Sequence, residues 1–268
     1  MGICETDKPS TNLTDITKPE INYPENNQNI IKPELLMGNK PVPMNIANKA
    51  TKSICKITIK TKRKSFYGTG FFMNITNSKK YLITNYHIIS KEVINDDIII
   101  EINNHRKMKL NINNRKIKYF ERPKDITIIE IRNNDDIYND IEFLDYDSNF
   151  IQKGYGIYQN VDVFSIEHPL GDKAACASGI ITYIKNYEFE HSISTDDGSS
   201  GCPIILLNNN INFIQVIGIH KAGKLTKKIN CGTFIGEIFN NNIYPNNDNN
   251  DNYIISEIYI TNEDIKKI

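Results

Sequence analysis

SICKITIKT, residues 53–61, alternates apolar and polar side chains with a period of two. Successive side chains of a strand point to opposite faces, so this period describes a strand with one face in a core and the other toward water. Working outward, short runs of the same kind recur: GTGFFM (68–73), YLIT (81–84), DIIIEI (97–102), DITIIEI (125–131), VDVFSI (161–166), GIITYI (179–184), PIILL (203–207) and FIQVIGI (213–219). Asn, Gly or Asp turns bound them, and few windows carry a 3.6-residue apolar stripe. Many short strands at regular spacing predict an all-β barrel or sandwich.

The flanks read differently. Residues 1–45 hold Pro19, Pro24, Pro33, Pro41 and Pro43 among Asn, Asp and Thr, with no sustained periodicity. Such a segment buries too little apolar surface to offset its ordering entropy, and a disordered leader is expected. A second polar break, NNNIYPNNDNNDN (240–252), precedes a short tail (253–268) that is compatible with either a strand or a helix. The expected division is therefore a leader (1–45), one folded unit (46–240), and a polar linker with its tail (241–268).

Composition excludes several function classes. The 268 residues carry 32 Lys+Arg against 32 Asp+Glu, which argues against an overall electrostatic affinity for nucleic acid or an anionic membrane. No apolar run approaches the roughly 20 residues that span a bilayer. The polar, acidic start does not read as a signal peptide. The cysteines at 4, 55, 176, 202 and 231 are scattered, odd in number and without a C-x-x-C pair. A disulfide framework or zinc site is not expected, and a reducing, cytoplasmic setting is the simpler reading.

Three segments carry chemistry. YLITNYH87 is an apolar strand ending in a turn that presents a His; D125ITII places an Asp just before a buried strand; D197GSS200GCP sets a Gly-flanked Ser in a tight turn. A serine hydroxyl becomes a nucleophile when a base takes its proton and a carboxylate holds that base in the right tautomer. Glycines beside the Ser let consecutive N–H groups converge on one point, as an oxyanion hole requires. Taken singly, each segment has a blander reading as a turn, cap or core residue. Their order, each on its expected local structure, does not.

These segments resemble the chymotrypsin-like (trypsin-like) serine proteases. TNYH87 is similar to that family's T-A-A-H turn, D125ITII to its D-I-A-L-L strand, and G198SS200GCP to its G-D-S-G-G-P loop, while G68TGF matches the strand leading to the catalytic His. The spacings, 38 residues from His87 to Asp125 and 75 from Asp125 to Ser200, suit a compact member. The resemblance implies a double β-barrel, with His87 as general base, Asp125 orienting it and Ser200 as nucleophile. It also implies an oxyanion hole from the Gly198 and Ser200 N–H groups, no metal or organic cofactor, and a protein or peptide as partner. Ser199 stands where trypsin has Asp, and there is no I-V-G-G start to pair with it. Activation by cleavage is therefore not expected.

A second resemblance concerns specificity. Thr195 in T-x-x-G-x-S and His220 in G-x-H-x-x-G are similar to the primary pocket of glutamyl endopeptidases and picornavirus main proteases, which implies a Glu or Gln preference at P1. Lys221, Ala222 and Gly223 would then form the edge that pairs with substrate backbone. His105 and His191 read as solvated residues and His168 as structural. Cys202 is a weak rival nucleophile, and the basic clusters at 56–64 and 115–118 read as solvated faces. A catalytically inactive module binding peptides or partners at a membrane is the alternative from another class; the intact His–Asp–Ser order favours the enzyme.

The first residues, MGICET, match the N-myristoylation pattern M-G-x-x-x-[ST], with Gly2 as acceptor and Cys4 available for a second chain. Two lipid signals anchor stably where one does not. The expectation is peripheral association with a cytosolic membrane face. A Gly2→Ala chain is expected to leave the membrane fraction on fractionation; equal retention would remove this reading.

Overall fold

The computed structural model describes residues 40–239 apart from 63, 77–78, 94–95, 103–105, 114, 209–213 and 225–228. Gly2, Cys4, His105, nearly all of the expected leader and the tail lie outside the described residues. A short helix, α1 (Met44–Thr51), opens them, two residues inside the segment read as leader. Its Ile46, Ala47 and Ala50 face inward.

Strand follows strand from there. The first sheet comprises β1 (Ile54–Lys60), β2 (Ser65–Thr76), β3 (Lys79–Thr84), β4 (Asp97–Ile102), β5 (Arg106–Lys109), β6 (Ile117–Phe120) and β7 (Ile126–Glu130), in the order β5-β4-β1-β2-β3-β7-β6. The period-two segment behaves as its sequence predicts. Cys55, Ile57 and Ile59 of β1 point into a cluster with Phe72, Leu82, Ile98, Ile100, Ile117 and Ile129, while Lys60 is exposed.

The second half begins with β8 (Asp145–Tyr146), passes through helix α2 (Asn149–Lys153), and continues with β9 (Asp162–Glu167), β10 (Ala175–Lys185), β11 (Glu188–His191), β12 (Pro203–Leu206), β13 (Gln215–Lys224) and β14 (Ile229–Phe234). The order β12-β9-β10-β11-β14-β13 closes through a β12–β13 pairing into a six-stranded barrel, on which β8 lies parallel to β13. The fold is all-β and of the chymotrypsin-like double-barrel type.

A second core joins the halves. Ile54, Phe71, Ile83, Ile126 and Ile128 from the first sheet pack in one cluster with Phe164, Phe189, Ile204, Ile219 and Phe234 from the barrel. Each fully buried Ile or Phe contributes about 1.5–3 kcal/mol relative to exposure. Cys55, Cys202 and Cys231 are buried free thiols, so among the described residues apolar burial holds the barrels together.

The reading of the basic cluster at 115–118 as a solvated face needs correction. Arg115 is 7% exposed rather than solvated: its guanidinium bonds Asp135 at 2.7 and 2.5 Å and the Glu130 carbonyl at 2.9 Å. A fork of donors buried with a matching carboxylate is satisfied by geometry that composition does not reveal.

Candidate active site

The antiparallel pairing of β3 with β7 sets Thr84 opposite Thr127, so the end of one strand lies beside the start of the other. A turn after β3, in which the Ile88 and Ile89 N–H groups both donate to the Asn85 carbonyl at 3.1 Å, presents His87. Asp125 immediately precedes β7, is 2% exposed, and has a φ of 60°. Such a conformation is uncommon outside glycine and turns the carboxylate toward the His87 turn. The Asn85 side-chain amide holds it by donating to the Asp125 carbonyl at 2.9 Å.

Both carboxylate oxygens then meet His87. Oδ1 accepts the His87 backbone N–H at 2.9 Å, and Oδ2 lies 2.7 Å from Nδ1. A carboxylate only accepts, so Nδ1 carries a proton, and in the neutral ring the lone pair is on Nε2. That is the tautomer of a general base.

Ser200 arrives from the other barrel on the loop between β11 and β12. Gly198 (φ 91°) and Gly201 (φ 90°) give the loop its shape. A Cβ on Gly201 would lie 2.2 Å from the Thr69 carbonyl oxygen and 2.5 Å from Thr84 Oγ1, so no larger residue fits. Thr69 fastens the loop to β2: its N–H donates to the Ser200 carbonyl and its hydroxyl to the Gly198 carbonyl, both at 2.8 Å. The Asp197 carbonyl accepts the Leu170 N–H. The C=O and N–H of a trans peptide point opposite ways, so the Gly198 N–H is turned away from Leu170.

A cavity of about 700 Å³ gathers His87, Asp125, Ser200, Thr195, His220, Lys221, Ala222 and Gly223 along its wall. Gly198 is not on that wall, though Asp197 just before it and Ser200 two residues after it are. Pairing of β13 with β12 ends at Pro203–Ile219, while pairing with β14 continues to Lys224. Lys221, Ala222 and Gly223 therefore lie where β13 has no β12 partner among the described residues.

His220 is 3% exposed, and its Nδ1 lies 3.1 Å from Nε2 of His191. His191 is fully buried on β11, which corrects the expectation of a solvated residue; a strand His whose partner is 29 positions away gives no local sign of burial. Its Nδ1 has no hydrogen-bond partner. An orphaned buried N–H is rarer than an under-used acceptor, which places the His191 proton on Nε2, donating to His220. The proton of His220 then sits on Nε2. Burial, and secondarily the nearby His87, pushes the His220 pKa down to about 4, and burial holds His191 well below the usual range. Both rings are neutral donors at pH 7.

Of the remaining candidates, His168 is buried with its Nδ1 2.8 Å from the Asp172 carbonyl, as a structural residue would be. Cys202 is fully buried, and burial followed by the Glu167 charge pushes its thiol well up, so it is no nucleophile. Arg122, Pro123, Asp196, Asp197 and Asn230 also line the cavity and were not singled out from the sequence. Asp196 and Asp197 sit inside the quoted T-x-x-G-x-S segment, whereas nothing local marks Arg122 or Asn230. Among the described residues no group of three or more His, Cys, Asp or Glu side chains is placed to hold a metal ion.

The model of the trypsin-like peptidase domain matches residues 68–219, more than half of the chain. The chain belongs to this family. The match begins within β2 and ends within β13, one residue before His220, so it contains His87, Asp125 and Ser200. Among curated sequences none matches this chain. Solved structures share the fold at low identity. The serine endoprotease from Yersinia pestis superposes with a TM-score of 0.55 at 16% identity, covering 74% of this chain and 64% of that one. A protease from M. tuberculosis in its active form gives 0.53 at 14% identity, over 72% and 80%. The HtrA-type protease AlgW with tripeptide gives 0.53 at 16%, over 72% and 60%. This chain thus covers less than two thirds of the first and third of these proteins.

Proposed function

We propose that this chain is a serine endopeptidase in which Ser200 is the nucleophile, His87 the general base and Asp125 its orienting carboxylate, with preference for Gln or Glu at P1. The observation that carries the reading is the two-point contact of Asp125 with His87, at 2.9 and 2.7 Å, on the wall of a cavity that Ser200 shares. In the cycle, His87 Nε2 takes the Ser200 proton as Oγ attacks the scissile carbonyl. The imidazolium, stabilised by Asp125, passes that proton to the leaving amine. Water then attacks the acyl carbon and gives a proton to His87, and the acyl–Oγ bond breaks as His87 returns that proton to Ser200, freeing the acid. Backbone N–H groups of Gly198 and Ser200 receive the oxyanion.

The P1 reading rests on His220 and Thr195, which line the same cavity. A neutral His220 offers Nε2–H, and Thr195 offers a hydroxyl. Both can donate to the oxygen of an amide or carboxylate. Substrates without such an acceptor would leave a buried donor unpaired and are rejected on that ground. A peptide library varied only at P1 is expected to favour Gln and Glu. His220→Leu is expected to lower kcat/KM on those peptides about 100-fold or more, with smaller changes on Leu or Phe peptides. Preference of the parent protein for Arg or Phe would refute the pocket assignment.

A further inference from the structure

Three consecutive carbonyls, ending with that of Asp125, each accept a side-chain donor from elsewhere in the fold. The Pro123 carbonyl takes Lys221 Nζ, the Lys124 carbonyl takes the Thr233 hydroxyl, and the Asp125 carbonyl takes the Asn85 amide, each at 2.9 Å. Lys221 and Thr233 belong to β13 and β14 of the barrel that carries Ser200, whereas Asp125 immediately precedes β7 of the first sheet. The Lys124 ammonium adds an ion pair with Glu237, just past β14, at 2.8 Å. The segment that ends in Asp125 is thus moored to the opposite barrel.

Strand alternation places Thr233 for this. Its neighbours Gly232 and Phe234 face the barrel interior: a Cβ on Gly232 would meet the Phe189 ring at 2.3 Å, and the Phe234 ring centroid lies 4.7 Å from that of Phe189. Thr233 therefore faces outward, where a hydroxyl ordinarily meets water. It is instead fully buried, and the Lys124 carbonyl is its acceptor.

Asp125 needs such anchors. Its φ of 60° lies in the left-handed region, which a residue with a Cβ keeps only where its surroundings over-determine it. Peptide units are planar, so φ and ψ of Asp125 are the only soft torsions between the unit before it and the unit after it. The unit after it is held at its oxygen by Asn85. The unit before it is held at its oxygen by Thr233 and at its N–H by the Glu121 carbonyl, at 3.2 Å. Glu121 is part of the same segment, so of these two it is Thr233 that ties the unit to the rest of the fold. With both units held, the direction of the Asp125 Cβ is set, and its carboxylate is aimed at His87.

From this geometry we infer that Thr233 is a positioning residue: its hydroxyl, reaching across from the barrel of Ser200, keeps Asp125 in the conformation that orients His87. For activity this rests on the endopeptidase reading; for the placement of the carboxylate it does not. Without the hydroxyl the Lys124–Asp125 peptide can turn, φ relaxes, and the carboxylate swings off Nδ1. The seating of one barrel on the other thereby sets the geometry of the acid in the triad.

Two pairs of proteins isolate the hydroxyl. Wild type against Thr233→Val keeps the shape of the side chain; Thr233→Ser against Thr233→Ala differs by a single oxygen and serves also where Thr233→Val does not fold. On peptide substrate, kcat of the Val and Ala variants is expected to fall about 100-fold with KM within about threefold, short of the order of 10⁴ for full loss of the acid. Thr233→Ser should keep kcat within about threefold of wild type, although its lost methyl lowers the melting temperature. Proton NMR of the intact protein reads the site without turnover. The His87 Nδ1 proton, in a charge-assisted bond to Asp125, is expected far downfield in wild type and Thr233→Ser, and upfield or lost to exchange with water in the other two. A fall in kcat of less than about tenfold, with the Nδ1 proton unmoved in the Val and Ala variants, would overturn the positioning role and leave the endopeptidase reading intact. Equal losses in Thr233→Ser and Thr233→Ala would overturn it too, in favour of packing alone. A displaced Nδ1 proton in a chain whose wild type neither hydrolyses peptides nor takes a fluorophosphonate would retain the role and overturn that reading.

Discussion

Replacing Ser200 with Ala is expected to abolish fluorophosphonate labelling and to lower kcat by a factor on the order of 10⁶, as loss of a triad nucleophile does when base and nucleophile act as one unit. The substitution removes a single oxygen from a residue that lines the cavity. The contacts that place the loop run through backbone and neighbours: the Ser200 carbonyl accepts the Thr69 N–H at 2.8 Å, and the Gly201 N–H donates to the His220 carbonyl at 3.1 Å. The melting temperature should therefore stay within about 2 °C, a shift typical of surface-type changes under 1 kcal/mol in a domain of this size. Stability and activity thus separate. A Ser200→Ala protein that still labelled would require another nucleophile, and Cys202, the neighbour that the sequence offers, is fully buried with its thiol pushed up. Intact mass spectrometry of the labelled protein reads the outcome directly.

What was legible in the sequence depended on how local its cause was. The alternation of β1 follows from a face turned to one core, and its register against β2 and β4 keeps that face inward along the whole strand. His87, Asp125 and Ser200 stood out as candidates because each sits at the end of an apolar run or between glycines, but that His87 and Asp125 meet follows from the β3–β7 pairing, which neither strand's sequence shows by itself. β5 and β8 left no pattern: the first is four residues with three exposed positions, the second only two residues. In β11, Phe189 and His191 point inward and Glu188 and Glu190 are half-buried, but a His at an inward position reads as polar until its partner on β13 is known. Glu167 escaped notice for the same reason. It ends β9, where a charge normally marks the surface, yet it is 3% exposed and meets Cys202 Sγ, 35 positions away in the chain, at 3.6 Å. Buried polar pairs across a barrel are long-range facts, and period-two reasoning sees only one strand at a time.

Asp125→Asn is expected to lower kcat on the order of 10⁴-fold with the fold intact, because it changes which nitrogen of His87 holds the proton. Asp125 serves two donors with its two oxygens, the His87 backbone N–H at 2.9 Å and Nδ1 at 2.7 Å. Asn has one oxygen and one NH₂ for the same two places. If the NH₂ faced the backbone N–H, two donors would oppose each other in a site 2% exposed, and the backbone donor has no alternative form. The oxygen must stay there, so the NH₂ faces Nδ1, which then has to accept. The ring proton moves to Nε2, and the lone pair meant for the Ser200 proton is gone. Substrate binding does not use this contact, so KM should change by no more than a few-fold. Asp125→Ala is the control with the opposite balance. It leaves the His87 backbone N–H unpaired, which costs about 1–3 kcal/mol, and should lower the melting temperature by roughly 2–4 °C per kcal/mol. Imidazole ¹⁵N shifts of His87 report the tautomer whether or not the protein turns over substrate. A Nδ1–H tautomer persisting in Asp125→Asn, or a kcat within tenfold of wild type, would sink the argument; a proton found on Nε2 together with the lost rate would tie the rate to the position of one proton, held by one carboxylate oxygen while the other oxygen holds the turn.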